Sequence, residues 1–413
     1  MMRFSSGKLA LALIVLGATP SAFAATSLSL EQAIALAEAR APDAVMARHA
    51  VHEAEARRVS AGLIFPANPR LSFDVRGPIT FAGMNRDIGY GAMLDFPVDI
   101  GGAPAARIHE ADRYADLARA ELAVEQLRVR YETWTAYMRA SIGEARLLAL
   151  GQSLDIGERV LAAAQKRSEL GASGDIDYSL ADSEVMQLRV AIQDVARARD
   201  RHMMMLRQSV NLPAAEPITL TTPLSDPPPV PDAKVLILHA LSKRPELASI
   251  RRRIDVLDAS DTRLAREIFP RTGLYVGIDA APANPIFGVI GLSVELPFAQ
   301  RNQNARARVV AARVGEDDRL QLEVQSIERE VVSAHASFEN RLIQLKMLTG
   351  SALPSAQKAL DLTEIGFRSG RFDVFRVTAA AREVSKVRAM RLDALEAGWL
   401  DRIELDRAAG GLP

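Results

Sequence analysis

Cysteine is absent from this chain. Its absence excludes a disulfide framework, a thiolate metal site, a thiol nucleophile and a lipid-modified N-terminal cysteine. Net charge is absent too, because 51 basic and 51 acidic side chains cancel. With no basic stripe interleaved with aromatics, nucleic acid has no electrostatic footprint to bind. Beyond the N-terminus there is no apolar run of the ~20 residues that a spanning helix needs, so any crossing of a bilayer falls to strands. Signatures of catalysis are missing as well, with neither a phosphate-binding glycine loop nor an HExxH pair. The six histidines, His52, His109, His202, His239 and His335 among them, are scattered and read as helix surface positions. His202-Met203-Met204-Met205 offers soft thioether ligands, but adjacent helical residues point in different directions, so packing methionines are the better reading. No cofactor, no metal site and no enzymatic activity are expected.

What is present begins with an export signal. Arg3 and Lys8 form a basic start, Leu9 to Ala18 is apolar, and Ala22-Phe23-Ala24 is a small-x-small cleavage pattern. Residues 1–24 are therefore expected to be a signal peptide, with the mature chain starting at Ala25. The remainder repeats itself. Arg40-Ala41-Pro42-Asp43 is echoed by Lys243-Arg244-Pro245-Glu246, Ile64-Phe65-Pro66 by Ile268-Phe269-Pro270, and Leu94-Asp95-Phe96-Pro97 by Val294-Glu295-Leu296-Pro297. Matches in constant order and at near-constant separation imply two structural repeats, 25–211 and 233–413. The proline-rich stretch 212–232 reads as an extended linker between them.

Each repeat reads as helix, strand pair, very long helix, shorter helix. The first helix is expected from about Leu30 to Leu63 with Ser29 as N-cap. The long helix follows Pro104 and runs to about Leu170, and no proline occurs from Ala105 to Leu212. Leu117, Ala120, Val124, Leu127, Tyr131, Trp134 and Met138 alternate three- and four-residue steps, as do Leu320, Val324, Ile327, Val331, Ala334 and Phe338. Such spacing is a coiled-coil seam. Shorter helices follow from about Ile176 to Asn211 and Val374 to Arg407. The first and third helices of a repeat, stacked end to end, match the long one, which at ~1.5 Å per residue spans about 100 Å. A rod of this kind buries a narrow seam and must pack against copies of itself.

Strands are expected at about 70–76 and 88–97, and again at about 273–280 and 289–297. Leu71, Phe73 and Val75 alternate with Ser72, Asp74 and Arg76; Ile290, Leu292 and Val294 alternate with Gly291 and Ser293. One apolar and one polar face, at nearly the ~9 to 11 residues of a tilted membrane strand, suit a barrel wall. Four strands do not close a barrel, and an open edge in lipid leaves backbone groups unpaired, so membrane strands here require oligomerisation.

In order, spacing and duplication, the chain resembles the TolC family of outer-membrane efflux proteins over essentially its whole mature length. The matching pieces are Leu30-Glu31-Gln32-Ala33, Asn68-Pro69-Arg70-Leu71, Leu296-Pro297-Phe298 and Arg301-Asn302-Gln303, with Gly171 and Gly370 near the helix turns. Arg301-Asn302-Gln303 is similar to the cobalt–zinc–cadmium branch, which serves heavy-metal pumps. Pro354 resembles a common family kink, and Leu154-Asp155 stands at the equivalent place in the first half. The resemblance implies a mainly α fold with a membrane β-barrel: a homotrimer whose four strands per chain form a twelve-stranded barrel in outer-membrane lipid above a periplasmic helical tunnel. It implies a passive exit duct working with a periplasmic adaptor protein and an inner-membrane pump of the RND type. A periplasmic coiled-coil scaffold with no membrane role is the alternative.

In the family the helix tips form the periplasmic mouth and meet the adaptor. That places Gly171, Ser173, Gly174, Gly370 and Phe372 as adaptor-contact candidates. Asp175, Asp177 and Asp373, with Arg167, Arg368 and Arg371 as ion-pair partners, are the gate candidates. Glycine closing one helix and Asp capping the next is the plainer role of the same residues. Threefold symmetry would turn each Asp into a ring.

Overall fold

The computed structural model describes residues 26–63, 65, 67–77, 88–99, 101–169, 175–213, 216–268, 272–280 and 285–411. The expected signal segment and the loop stretches 78–87 and 281–284 lie outside these residues. The first half opens with a short strand β1 (Thr26–Leu28), then helices α1 (Leu30–Arg40) and α2 (Pro42–Ala61). Strands β2 (Arg70–Arg76) and β3 (Gly89–Val98) follow, then α3 (Ala103–Glu169), α4 (Asp175–Ser209) and the short strand β4 (Ile218–Leu220). The second half has α5 (Ala233–Lys243), α6 (Pro245–Arg266), β5 (Thr272–Ala280) and β6 (Phe287–Val294). It ends with α7 (Gln303–Met347), α8 (Leu353–Arg368) and α9 (Val374–Ala409), and a π turn at Leu348–Ala352 joins α7 to α8.

One expectation needs correction in both halves. The single first helix is two helices, broken at Pro42 and at Pro245. Proline lacks the N–H that an uninterrupted helix would use, and its ring pushes the preceding residue into extended backbone. Ala41 (φ −56°, ψ 137°) and Arg244 (φ −62°, ψ 123°) adopt that conformation, and each proline becomes the first residue of the next helix. Ser29 caps α1 as expected, in a reciprocal box with Gln32: Gln32 N donates to Ser29 Oγ at 3.2 Å and Ser29 N donates to Gln32 Oε1 at 3.0 Å.

The 67 residues of α3 make a rod of about 100 Å. Along it lie α1, α2 and α4, and α7 is flanked by α5, α6 and α9 in the same way. Of the expected seams, Tyr131 and Met138 in the first half and Ile327, Val331, Ala334 and Phe338 in the second are buried, while Leu117, Ala120, Val124, Leu127, Trp134, Leu320 and Val324 are half-buried in the single chain. Among the described residues there is no single core. Apolar clusters are strung along the rods instead, from Tyr137 and Leu206 at the level of the linker to Ala164, Ala181 and Val374 at the far turns. Before Pro354, whose missing N–H breaks the helical ladder, the π turn absorbs the irregularity without ending the rod.

The linker is more ordered than its prolines suggest. β4 pairs in parallel with β1, with Leu28 opposite Leu220. The buried Tyr137 hydroxyl donates to Leu28 O and accepts from Thr222 N, both at 3.0 Å. One residue of α3 thus ties both segments to the rods.

The other strands form one antiparallel sheet in the order β2-β3-β5-β6. Register puts Leu71 opposite Leu94, Leu94 opposite Val276 and Val276 opposite Ile290, so most apolar residues of the four strands share one face, with Met93, Phe287 and Val289 on the other. Phe73 and Ile290 on the apolar face are each 75% exposed in the single chain. Ser72, Asp74, Arg76, Met93, Asp95, Tyr275, Asp279 and Ser293 share the other face. There Arg76 bridges Asp74 and Asp279. The last strand ends at Val294, short of the expected 297, because Pro297 and the turn around Phe298 lead into the next helix. Among the described residues, no helix is long and apolar enough to cross a membrane.

Candidate functional site

The turns at the far end of the rods carry the candidate residues. In the second half α8 closes with a Schellman arrangement. Gly370 has φ +73°, a conformation that costs glycine little; its N–H donates to Phe367 O at 3.0 Å, and Arg371 N donates to Gly366 O at 2.9 Å. The Phe372 ring then folds back over Gly366, where an added Cβ would lie 2.2 Å from the ring. The Arg376 guanidinium sits 5.0 Å from the centre of that ring. Asp373 is the N-cap of α9 and accepts from Arg376 N at 3.0 Å. Arg371 is exposed on the turn. Half-buried Phe372 is therefore packed into the turn rather than displayed from it, and Asp373 is a helix cap on an exposed tip.

The first-half turn is described at its flanks. Gly171, Ser173 and Gly174 lie outside the described residues, as do the side chains of Arg167, Asp175 and Arg368; the backbone of Asp175 opens α4. Asp177 is half-buried and lines a groove of about 210 Å³ with Leu180, Val374, Phe375 and Arg382. Val374 directly follows Asp373, so the turns of the two halves lie side by side and bring the first residues of α4 and α9 together. Arg382 bridges to Glu184 at 2.6 Å across the same pair of helices. Ile176 and Phe375, 75% and 61% exposed, give this tip an apolar surface beside its charges.

Sequence reasoning missed the Phe372–Gly366–Arg376 stack. Its signal was a glycine six residues before an aromatic, which carries meaning only once the Schellman turn reverses the chain. The elbow between β6 and α7 gives Arg301-Asn302-Gln303 a structural account. Asn302 takes φ +54°, and its side chain donates to Leu264 O at 3.0 Å. Arg301 Nε donates to Pro297 O at 3.1 Å. The motif thus fixes the angle at which the strands meet the rods. Met203 is buried while Met204 and Met205 are exposed, so the methionine run diverges as helical geometry requires.

Comparison with known proteins agrees with this architecture. The family model described as "Outer membrane efflux protein" matches residues 33–212 and 236–411. The cobalt-zinc-cadmium resistance protein CzcC of Cupriavidus metallidurans is 24% identical over 324 residues, which are 77% of this chain and 76% of that protein. Among solved structures, CusC, studied for its transmembrane channel formation, superposes with a TM-score of 0.72 at 17% identity, covering 92% of each chain. The outer membrane protein VceC from Vibrio cholerae superposes with a TM-score of 0.71 at 16% identity, covering 92% of this chain and 96% of that one.

Proposed function

This chain belongs to the outer membrane efflux protein family, and from that premise we propose that three copies close one exit duct. The protein is an outer-membrane channel of a tripartite efflux system, with its helical part in the periplasm. One observation carries the trimer: a four-stranded sheet whose outer strands β2 and β6 have an unpaired edge among the described residues and whose one face is mostly apolar, joined to rods of about 100 Å. Both edges need partners and the apolar face needs lipid. Twelve strands from three copies supply both, with β6 of one protomer antiparallel to β2 of the next.

The tips, at the opposite end of the rods, are then the periplasmic mouth. Their exposed apolar residues and turns suit an adaptor's helices, and the adaptor connects to an inner-membrane pump. Conduction is passive, since the chain offers a path and no energy-coupling chemistry. Heavy-metal cations are the preferred cargo, a reading supported by the named relative's role in cobalt, zinc and cadmium resistance.

The test is the mass of the detergent-solubilised protein together with cadmium, zinc and cobalt tolerance of cells with and without it. A trimer whose loss sensitises cells to these cations is expected. A stable monomer, or recovery only from the soluble periplasm, would favour the scaffold alternative.

A further inference from the structure

Glycines alternate with long side chains on the polar face of the sheet, and the pairing between them is systematic. Asp74 stands opposite Gly91, and Tyr275 stands opposite Gly291. A Cβ on Gly91 would lie 2.5 Å from Asp74 Oδ1, and one on Gly291 would lie 2.3 Å from the Tyr275 ring and hydroxyl. Gly273 faces Ser293 directly and Asp95 diagonally, and a Cβ there would lie 2.4 Å from Ser293 Oγ and 2.6 Å from Asp95 Oδ1. Asp74, Asp95 and Tyr275 therefore each lie flat across the neighbouring strand. Gly91 and Gly273 are buried on what is otherwise an open face, because Asp74 covers the first and Asp95 together with Ser293 covers the second. Gly277 serves the same wall differently, since a Cβ there would meet the carbonyl oxygen of Ala92 at 2.4 Å. Glycine within a strand usually marks a close approach of this kind.

Barrel size makes the pattern consequential. Eight strands enclose a space that side chains fill, while sixteen to eighteen leave an aqueous channel. A twelve-stranded wall lies between those limits, so the free bore depends on whether its inward side chains stand up or lie down. We propose that Gly91, Gly273 and Gly291 are recesses that hold Asp74, Asp95 and Tyr275 against the wall and so set the largest solute the outer-membrane section passes. This rests on the trimeric barrel proposed above, in which the polar face lines the lumen. Tyr275 has the longest reach of the three, and threefold symmetry would raise three such rings at one level if the recess were filled.

Because the chain lacks cysteine, a single introduced thiol reports alone. Ser293→Cys places it on the polar face, at the end of β6 nearest the helices. Maleimide-polyethylene glycols of increasing mass, too bulky for porins, are added to intact cells. The largest polymer that labels defines the bore. G291A is expected to lower that cut-off by at least one member of the series, and Y275A/G291A to restore it, with trimers intact on unheated gels in every case. An unchanged cut-off in G291A trimers would overturn the proposal. So would failure of even the smallest polymer to reach the thiol, since the bore would then be shut elsewhere. The barrel reading fails separately: a Phe73→Cys thiol on the apolar face labelling as readily as Ser293→Cys means that these strands do not cross lipid.

Discussion

Asp373 is the cap of α9 and is also a candidate gate charge, two roles that one substitution tells apart. As the cap of α9 it accepts a backbone N–H, a role Asn fills about as well; as a gate charge it has no neutral substitute. Asp373→Asn should therefore leave the helix intact, whereas Asp373→Ala should cost ~1 kcal/mol of thermal stability. In planar bilayers wild-type channels should show small conductance and block by divalent cations from the periplasmic side. Asp177→Asn with Asp373→Asn should weaken that block, and Arg371→Ser should raise conductance. Equal block in the double Asn variant would leave these aspartates as structural residues alone. Glu330 offers a second test at this scale. Burial alone would raise its carboxyl, but the hydrogen bond and charge of Arg244 outweigh burial and hold it below its ordinary value of 4.5. Arg244, buried at the helix break, is bonded to Glu330 at 2.8 Å and to Glu246 at 3.0 Å. A carboxylate whose folded-state pKa is depressed contributes stability that is complete above the unfolded value and lost as pH falls through the folded one. The melting temperature of wild type should thus fall, as pH drops from about 5 to 3, by more than that of Glu330→Gln, measured by circular dichroism in detergent. Parallel curves would show that the pair contributes nothing to acid sensitivity.

At the scale of elements, the strands give the sharpest forecast. Asp or Arg at Phe73 or Leu292, on the apolar face, should impair barrel assembly, since Arg at mid-bilayer on a lipid-facing strand costs ~2 to 4 kcal/mol. The same changes at Ser72 or Ser293 should be tolerated in trimer yield on gels; equal effects on both faces would contradict a lipid-facing sheet. These strands were legible in the sequence because a period of two is a local signal. The seams around Tyr131 and Phe338 were legible because their spacing persists for many turns. The breaks at Pro42 and Pro245 were visible only as an echoed four-residue segment, since the apolar pattern continues on both sides of each proline. The β1–β4 pair was hidden for a different reason. Three residues carry too little periodicity, and the hydroxyl that organises them, on Tyr137, comes from a residue 109 positions beyond Leu28. At the tips the order of glycine, aromatic and aspartate was readable, but the packing of Phe372 on Gly366 depends on a chain reversal that no local rule specifies.

The whole molecule is an assembly of narrow contacts without a central core. Its apolar clusters each join a few turns of helix, so stability is distributed along the rods. The two halves meet where β3 pairs with β5, and they meet again where α3 packs against α6 and α9. A protomer on its own is thus a nearly complete rod carrying an incomplete sheet. That asymmetry has a genetic consequence. A Leu292→Arg subunit keeps the surfaces by which rods associate but spoils the wall it would contribute, so it should be recruited and then disable its companions. Expressed in equal amount with wild type, it should leave about one assembly in eight intact if protomers mix at random in threes. Metal tolerance should then fall well below the half expected from gene dosage alone. An allele that proves recessive, with tolerance tracking the wild-type dose, would mean that protomers enter the membrane before they meet. Dominance of the allele would mean that the rods choose their companions first, and that the open edges of the sheet are closed last.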